Sequence, residues 1–74
     1  MRLSELHISE TATIDCIESP EMQVALMQLG VREGDNFTVS DIAPLGDPMA
    51  IRVNGTKISI RKQDAKCIIV KKVL

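Results

Sequence analysis

Aromatic residues are almost missing. Phe37 stands alone in 74 residues, with no Trp and no Tyr. Nothing is left on which successive bases could stack, which argues against a single-stranded nucleic-acid platform. Any core must be aliphatic, built from Ile, Val, Leu and Met. Long apolar runs are missing too. The longest are Val24-Ala25-Leu26-Met27 and Cys67-Ile68-Ile69-Val70, far below the ~20 residues of a spanning helix. The opening Met1-Arg2-Leu3-Ser4-Glu5 lacks the apolar stretch of a secretory signal. A cytoplasmic protein without membrane insertion is the expectation.

Chemistry-bearing residues are equally scarce. His7 is the only histidine, and no spacing places it beside a Ser or Cys nucleophile. The chain has no Gly-x-x-x-x-Gly-Lys-Ser/Thr loop, no Cys-x-x-Cys and no His-x-x-x-His. A metal site would have to be gathered from scattered residues such as His7, Cys16, Asp41 and Asp47. The methionines Met22, Met27 and Met49 are better read as core filler than as soft ligands. No catalytic residue, no cofactor and no metal site is assigned, and the chain is not expected to be an enzyme. Cys16 and Cys67 admit a disulfide or metal pair. Their strand-like surroundings and a reducing compartment favour two small apolar core residues instead.

What is present has the composition of one folded domain spanning 1–74, with 45% hydrophobic and 26% charged residues. Net charge is −1, unevenly spread. Met1 to Asp47 holds nine acids against Arg2 and Arg32. From Pro48 onward the order reverses: Arg52, Lys57, Arg61, Lys62, Lys66, Lys71 and Lys72 face Asp64 alone. Those bases would be the footprint of a nucleic acid, the rival reading for a small barrel. The acidic pI of about 5.7 opposes it. In a compact fold the two halves interleave and the asymmetry cancels.

The pattern along the chain predicts about five short strands and one helix. Leu3 and Leu6 are apolar anchors on an N-terminal turn. Thr11 to Ile17 alternates as a half-buried strand. Ser19-Pro20-Glu21 starts a helix: an N-cap, a first-position proline and an acid on the dipole. Met22, Ala25, Leu26 and Leu29 follow at i, i+3, i+4 and i+7, one apolar face, and Gly30 stops it. Glu33-Gly34-Asp35 is a turn. Phe37 and Val39 share one strand face, and the alternation slips at Asp41-Ile42-Ala43, the mark of a bulge. After the stiff loop Pro44 to Pro48, Met49, Ile51 and Val53 alternate with Ala50 and Arg52. Asn54-Gly55 is a type I′ hairpin signal, and Thr56 to Ile60 returns. Arg61 to Ala65 forms a helical turn, and Lys66 to Val73 is a last strand. Five strands this short curl into one barrel, which removes exposed edges. Hairpin, helical turn and final strand come in the order of SH3-like barrels.

Several motifs together carry a family resemblance. Leu26-Met27-Gln28-Leu29-Gly30-Val31-Arg32-Glu33-Gly34 is similar to the Leu-x-x-Leu-Gly-(apolar)-x-x-Gly segment of FeoA-type proteins. Ala43-Pro44-Leu45-Gly46-Asp47-Pro48 resembles their most recognisable stretch. Ile51-Arg52-Val53, Gly55, Ile60-Arg61 and Asp64-Ala65 continue the match, and Leu3-Ser4-Glu5-Leu6 resembles the family's opening. One departure stands out: Ile8-Ser9 occupy the place where relatives carry Pro-Gly. The resemblance implies a mainly β, SH3-like five-stranded barrel with one inserted helix. It also implies an accessory role in ferrous iron uptake, docking on the cytosolic part of a FeoB-type membrane GTPase transporter. Weak self-association is compatible with it. The SH3-like domains of DtxR-type metal-dependent repressors are cousins, but here no helix-turn-helix precedes the domain.

The candidate docking residues are those the core does not explain. Val24 and Met27 lie off the helix's apolar face. Leu45 tips a loop stiffened by Pro44 and Pro48, and stiff apolar loops lose little entropy on binding. Met27, Arg32, Leu45 and Asp47 are the expected partner-binding set, with Leu45, Met27 and Arg32 in one patch if the loop folds back beside Gly30. The alternative is that Leu45 caps the barrel and Met27 packs under a neighbouring loop, since so small a domain needs most of its apolar residues inside.

Overall fold

A computed structural model describes residues 1–73. Its first element is a 3-10 turn, Leu3–Glu5, whose Leu3 side chain is fully buried, with Leu6 behind it. Five strands follow, β1 (Thr11–Ile17), β2 (Asn36–Ile42), β3 (Met49–Val53), β4 (Thr56–Ile60) and β5 (Ile68–Lys72). The helix α1 (Pro20–Gln28) joins β1 to β2, and the single turn α2 (Lys62–Ala65) joins β4 to β5. All strand pairings are antiparallel, in the order β4-β3-β2-β1-β5. The sheet curls around an aliphatic core that includes Ile14, Leu26, Val39, Ile51, Ile68 and Val70. This is the small SH3-like barrel that the strand pattern implies.

The predicted bulge is there: the β2–β3 register shifts between Val39 and Asp41. The Asn54-Gly55 turn has φ of 51° and 78°, the two positive values a type I′ turn needs. Three expectations need correcting. Cys16 is exposed and Cys67 half-buried, so neither is a core residue, and both thiols are free. The cause is a second register shift, between Ile14 and Cys16 of β1. One extra residue there turns Cys16 outward and Ile17 inward. Ala50 is buried along with its neighbours Met49 and Ile51 rather than alternating with them. Finally, the sheet is not closed by hydrogen bonds. The outer edge of β5 is covered by the chain's own start: Val70 N–H donates to the Met1 carbonyl at 2.7 Å, and Arg2 bridges Ile69. The outer edge of β4 has no such cover among the described residues.

The charge asymmetry does interleave. Lys57 pairs with Asp41, Lys71 with Asp15 at 3.4 Å and Lys72 with Glu10 at 2.6 Å. Each joins a base of the second half to an acid of the first.

Candidate functional site

Helix α1 is firmly capped at both ends yet barely sunk into the barrel. Ser19 Oγ accepts from Met22 N–H at 3.3 Å, and Pro20 takes the first turn. At the other end Gly30, with φ of 84°, donates to the Met27 carbonyl, and Val31 N–H donates to the Leu26 carbonyl at 2.8 Å. This pair of bonds is a Schellman motif, and its customary apolar contact joins Leu26 to Val31, both buried. Inside the helix only Leu26 is buried, with Met22 half-buried. The four-residue face read from the sequence therefore fails at Ala25 and Leu29, which are exposed. Val31, just past the helix end, fills the core position that the periodicity assigned to Leu29. Val24, Met27 and Leu29 are each more than half exposed.

Between this helix and the end of β1 lies an open cleft of about 310 Å³, lined by Ile17, Gln23, Met27, Arg32 and Glu33. Its floor is fixed from both sides. Gln23 Nε2 donates to the Ile17 carbonyl at 2.8 Å, and Ile17 N–H donates to Glu33 Oε2 at 3.1 Å. The Glu33 carboxylate is thus engaged by the backbone. The turn that carries Arg32 is tied by Arg32 N–H to Asp35 Oδ2 at 2.9 Å, and Asn54 Nδ2 donates to the same carboxylate oxygen. The Arg32 guanidinium takes part in no ion pair among the described residues. An apolar wall beside an unpaired guanidinium suits a partner's aliphatic side chain together with a carboxylate or carbonyl oxygen.

The predicted docking residues do not form one patch. Met27 and Arg32 share the cleft. Leu45 is 93% exposed, at the tip of the loop joining β2 to β3. Asn54, at the far end of β3, reaches the Gly30 carbonyl at 3.3 Å. The helix end and Leu45 therefore sit at opposite ends of β3, and the loop does not fold back beside Gly30. Asp47 acts locally, as its Oδ1 accepts from Lys62 N–H at 3.0 Å and so caps α2. The cleft's two fixing residues, Gln23 and Glu33, were not singled out from the sequence. Their side chains bond a backbone 6 and 16 residues away, a pairing with no local signature.

Elsewhere the polar groups are ordinary surface groups. His7 is exposed and bonds Glu10 through both its backbone N–H and its ring. Hydrogen bonds from Lys72 and from the His7 N–H hold the Glu10 carboxyl down to about 2. Among the described residues no three His, Cys, Asp or Glu side chains gather as a metal-binding cluster. No helix of the described residues is long and apolar enough to cross a membrane.

Comparison with known proteins matches this chain over residues 1–72 to the FeoA domain. It is 36% identical over 66 residues to an Fe(2+) transport protein A/Fe(2+) transporter FeoB fusion protein of Porphyromonas gingivalis, covering 88% of this chain and 8% of that one. Its spatial relatives include the solution structure of a FeoA protein from Chlorobium tepidum. That fold superimposes with a TM-score of 0.93 at 33% identity, over 100% of this chain and 71% of the other. A second is the zinc complex of Stenotrophomonas maltophilia FeoA, at TM-score 0.79 and 25% identity, over 96% and 89%. It is described as a prokaryotic SH3 domain protein and a candidate activating factor for ferrous iron transport. The capped helix, the cleft beside it and the loop of Leu45 thus stand on a barrel shared with these proteins, and the chain belongs to the FeoA family.

Proposed function

We propose that this chain is an accessory protein that docks on the cytosolic part of a FeoB-type ferrous iron transporter and modulates Fe(II) uptake. The observation that carries the reading is the outer surface of α1. Val24, Met27 and Leu29 are left in water by a helix whose only buried side chain is Leu26. Exposed apolar side chains beside a preformed cleft mark an interaction surface. Rigid caps at both helix ends reduce what ordering would cost on binding. The fused relative adds a second support. Joining a FeoA part to a FeoB part in one chain holds the two at high effective concentration, which is useful when their contact is weak. Met27 supplies the apolar contact and Arg32 the charge that fixes its direction. Docking acts on the transporter by favouring one of its conformations, and ferrous iron is the transporter's cargo, not a ligand of this chain.

The test is calorimetry with the purified cytosolic part of a FeoB-type transporter. The combined variant Met27→Ser, Arg32→Glu is expected to fold with an unchanged melting temperature. Its Kd should rise at least about tenfold, equivalent to ~1.4 kcal/mol. No binding by the unaltered chain, or equal binding by the variant, overturns the reading.

A further inference from the structure

The interleaving of charge leaves a remainder. Of the seven bases after Pro48, only Lys57, Lys71 and Lys72 enter ion pairs, while Arg52, Arg61, Lys62 and Lys66 enter none among the described residues. Three of the seven, Lys57, Arg61 and Lys62, lie in or just past β4, and the stretch from Thr56 to Lys62 contains no acid. Arg52 stands directly opposite Lys57 on β3, a like-charged cross-strand pair that only the Asp41 carboxylate relieves.

This basic strand is also the uncovered edge. The pair that closes the two-residue turn, Val53 with Thr56, exchanges hydrogen bonds, and pairs alternate from there. Ile58 and Ile60 then bond to β3, while the N–H and C=O groups of Lys57 and Ser59 point away from the sheet. No backbone or side-chain group among the described residues meets them. The two edges of the sheet are thus treated differently: β5 carries Met1 and Arg2, and among the described residues nothing bonds to the outer edge of β4.

We infer that the β4 edge is a second docking site, taking an extended acidic segment of a partner protein as an added antiparallel strand. The geometry sets the pattern of that segment. Residues opposite Lys57 and Ser59 face the outer surface, where acids are favoured. Residues opposite the buried Ile58 and Ile60 face the rim of the core, where aliphatic side chains fit. A second copy of this chain is the wrong occupant, because two β4 strands would set Lys57, Arg61 and Lys62 against their equals. The open recess of about 400 Å³ at the end of the strand, lined by Asp47, Pro48, Ser59 and Arg61, gives room for the segment to continue. The Lys57–Asp41 pair is half-exposed on both sides. Such pairs are weak, so a partner carboxylate can share Lys57.

The inference is independent of docking through α1, and the test keeps them apart. The probe is an acetylated, amidated octapeptide of alternating valine and glutamate, titrated into the labelled chain and followed by backbone amide NMR. Shifts are expected on β4 and not on α1, with the Lys57 and Ser59 amides at least tenfold slower in hydrogen exchange. The lysine counterpart of the peptide should not bind. Ser59→Pro removes one outward N–H without touching a β3 bond, and should abolish binding with the fold intact. The double variant Lys57→Glu, Arg61→Glu should weaken binding at least tenfold, and decides the matter if Ser59→Pro fails to fold. Shifts on α1 alone, or none at millimolar peptide, overturn the inference. So does peptide binding that Ser59→Pro leaves intact. A uridine oligonucleotide that displaces the peptide and binds the Ser59→Pro chain equally well would assign the edge to charge alone, and also overturns it.

Discussion

Single residues account for the departures from pattern. Ser9 has φ of 76°, a left-handed conformation, at the place where FeoA-type relatives carry glycine. Its backbone is held there by a 2.8 Å bond from Ser9 N–H to the Val39 carbonyl. A side chain in that region costs about 1–2 kcal/mol, whereas a glycine adds roughly 0.4–1 kcal/mol of unfolded-chain entropy. Ser9→Gly is therefore expected to raise the melting temperature by a few degrees, given about 4–8 °C per kcal/mol at this size; a lower midpoint in a thermal melt would contradict this. Glu10, next along, contributes to behaviour in acid, as does Asp41, whose carboxyl is lowered by its hydrogen bond with Lys57. The folded value of Glu10, about 2, lies below the usual 4.5, chiefly through the hydrogen bond from Lys72. A carboxyl so depressed stabilises the fold above pH 4.5, and that contribution is lost as pH falls from 4.5 toward 2. Melting curves of Glu10→Gln should show a shallower fall between pH 5 and pH 3 than those of the unaltered chain. Equal slopes would show that Glu10 is not the responsible group. Cys16 marks where reading the sequence stops. Its alternation with Ile14 is real, but a bulge set by the partner strand β5 moves it to the outside. Nothing in the residues around Asp15 announces that bulge.

Elements were more legible than residues wherever a local rule acts alone. The Asn54-Gly55 turn, the Ser19 cap and the Gly30 stop follow from backbone chemistry at one or two positions, and all three stand. The apolar face of α1 was legible only in part. Periodicity identifies which residues share a helix face, but not how deeply the barrel lets that face sink. Leu26 and Leu29 look equivalent at i+4 and i+7, yet one is buried and the other 55% exposed. Truncating them separates packing from pattern. Leu26→Ala is expected to destabilise by about 2–5 kcal/mol, as core leucines do. Leu29→Ala should stay within about 0.5 kcal/mol, as surface changes do. Chemical denaturation measures both. Comparable losses would mean that Leu29 is packed in solution.

At the scale of the whole molecule, the question is how much of it one partner can hold. The barrel was readable because five short strands with a single helix have few other ways to cover one core, whereas the order β4-β3-β2-β1-β5 came from the structure. The placement of the candidate site was not readable, because it is fixed by long-range bonds with no local signature, such as Asn54 to the Gly30 carbonyl and Gln23 and Glu33 to Ile17. Leu45 and the end of α1 look alike as exposed apolar features, but β3 separates them by its full length, about 16 Å for five residues. The chain exposes 4646 Å² in all. A standard interface covers about 800 Å² per partner, roughly a sixth of that surface, so one centred on Met27 reaches Leu45 at most with its rim, where single contacts contribute little. The two positions therefore predict different results in the same assay. Met27→Ser and Leu45→Ser should both leave the melting temperature unchanged, since their side chains are 60% and 93% exposed. Capture by a FeoB-type cytosolic domain should weaken with Met27→Ser and stay within about twofold with Leu45→Ser, below ~0.5 kcal/mol. A partner that wraps the barrel gives another pattern: both substitutions weaken capture, and their effects add, as they do for sites without shared contacts. That result would return Leu45 to the docking surface. Loss from Leu45→Ser alone would move the surface to the β2–β3 loop and leave the helix face without a role.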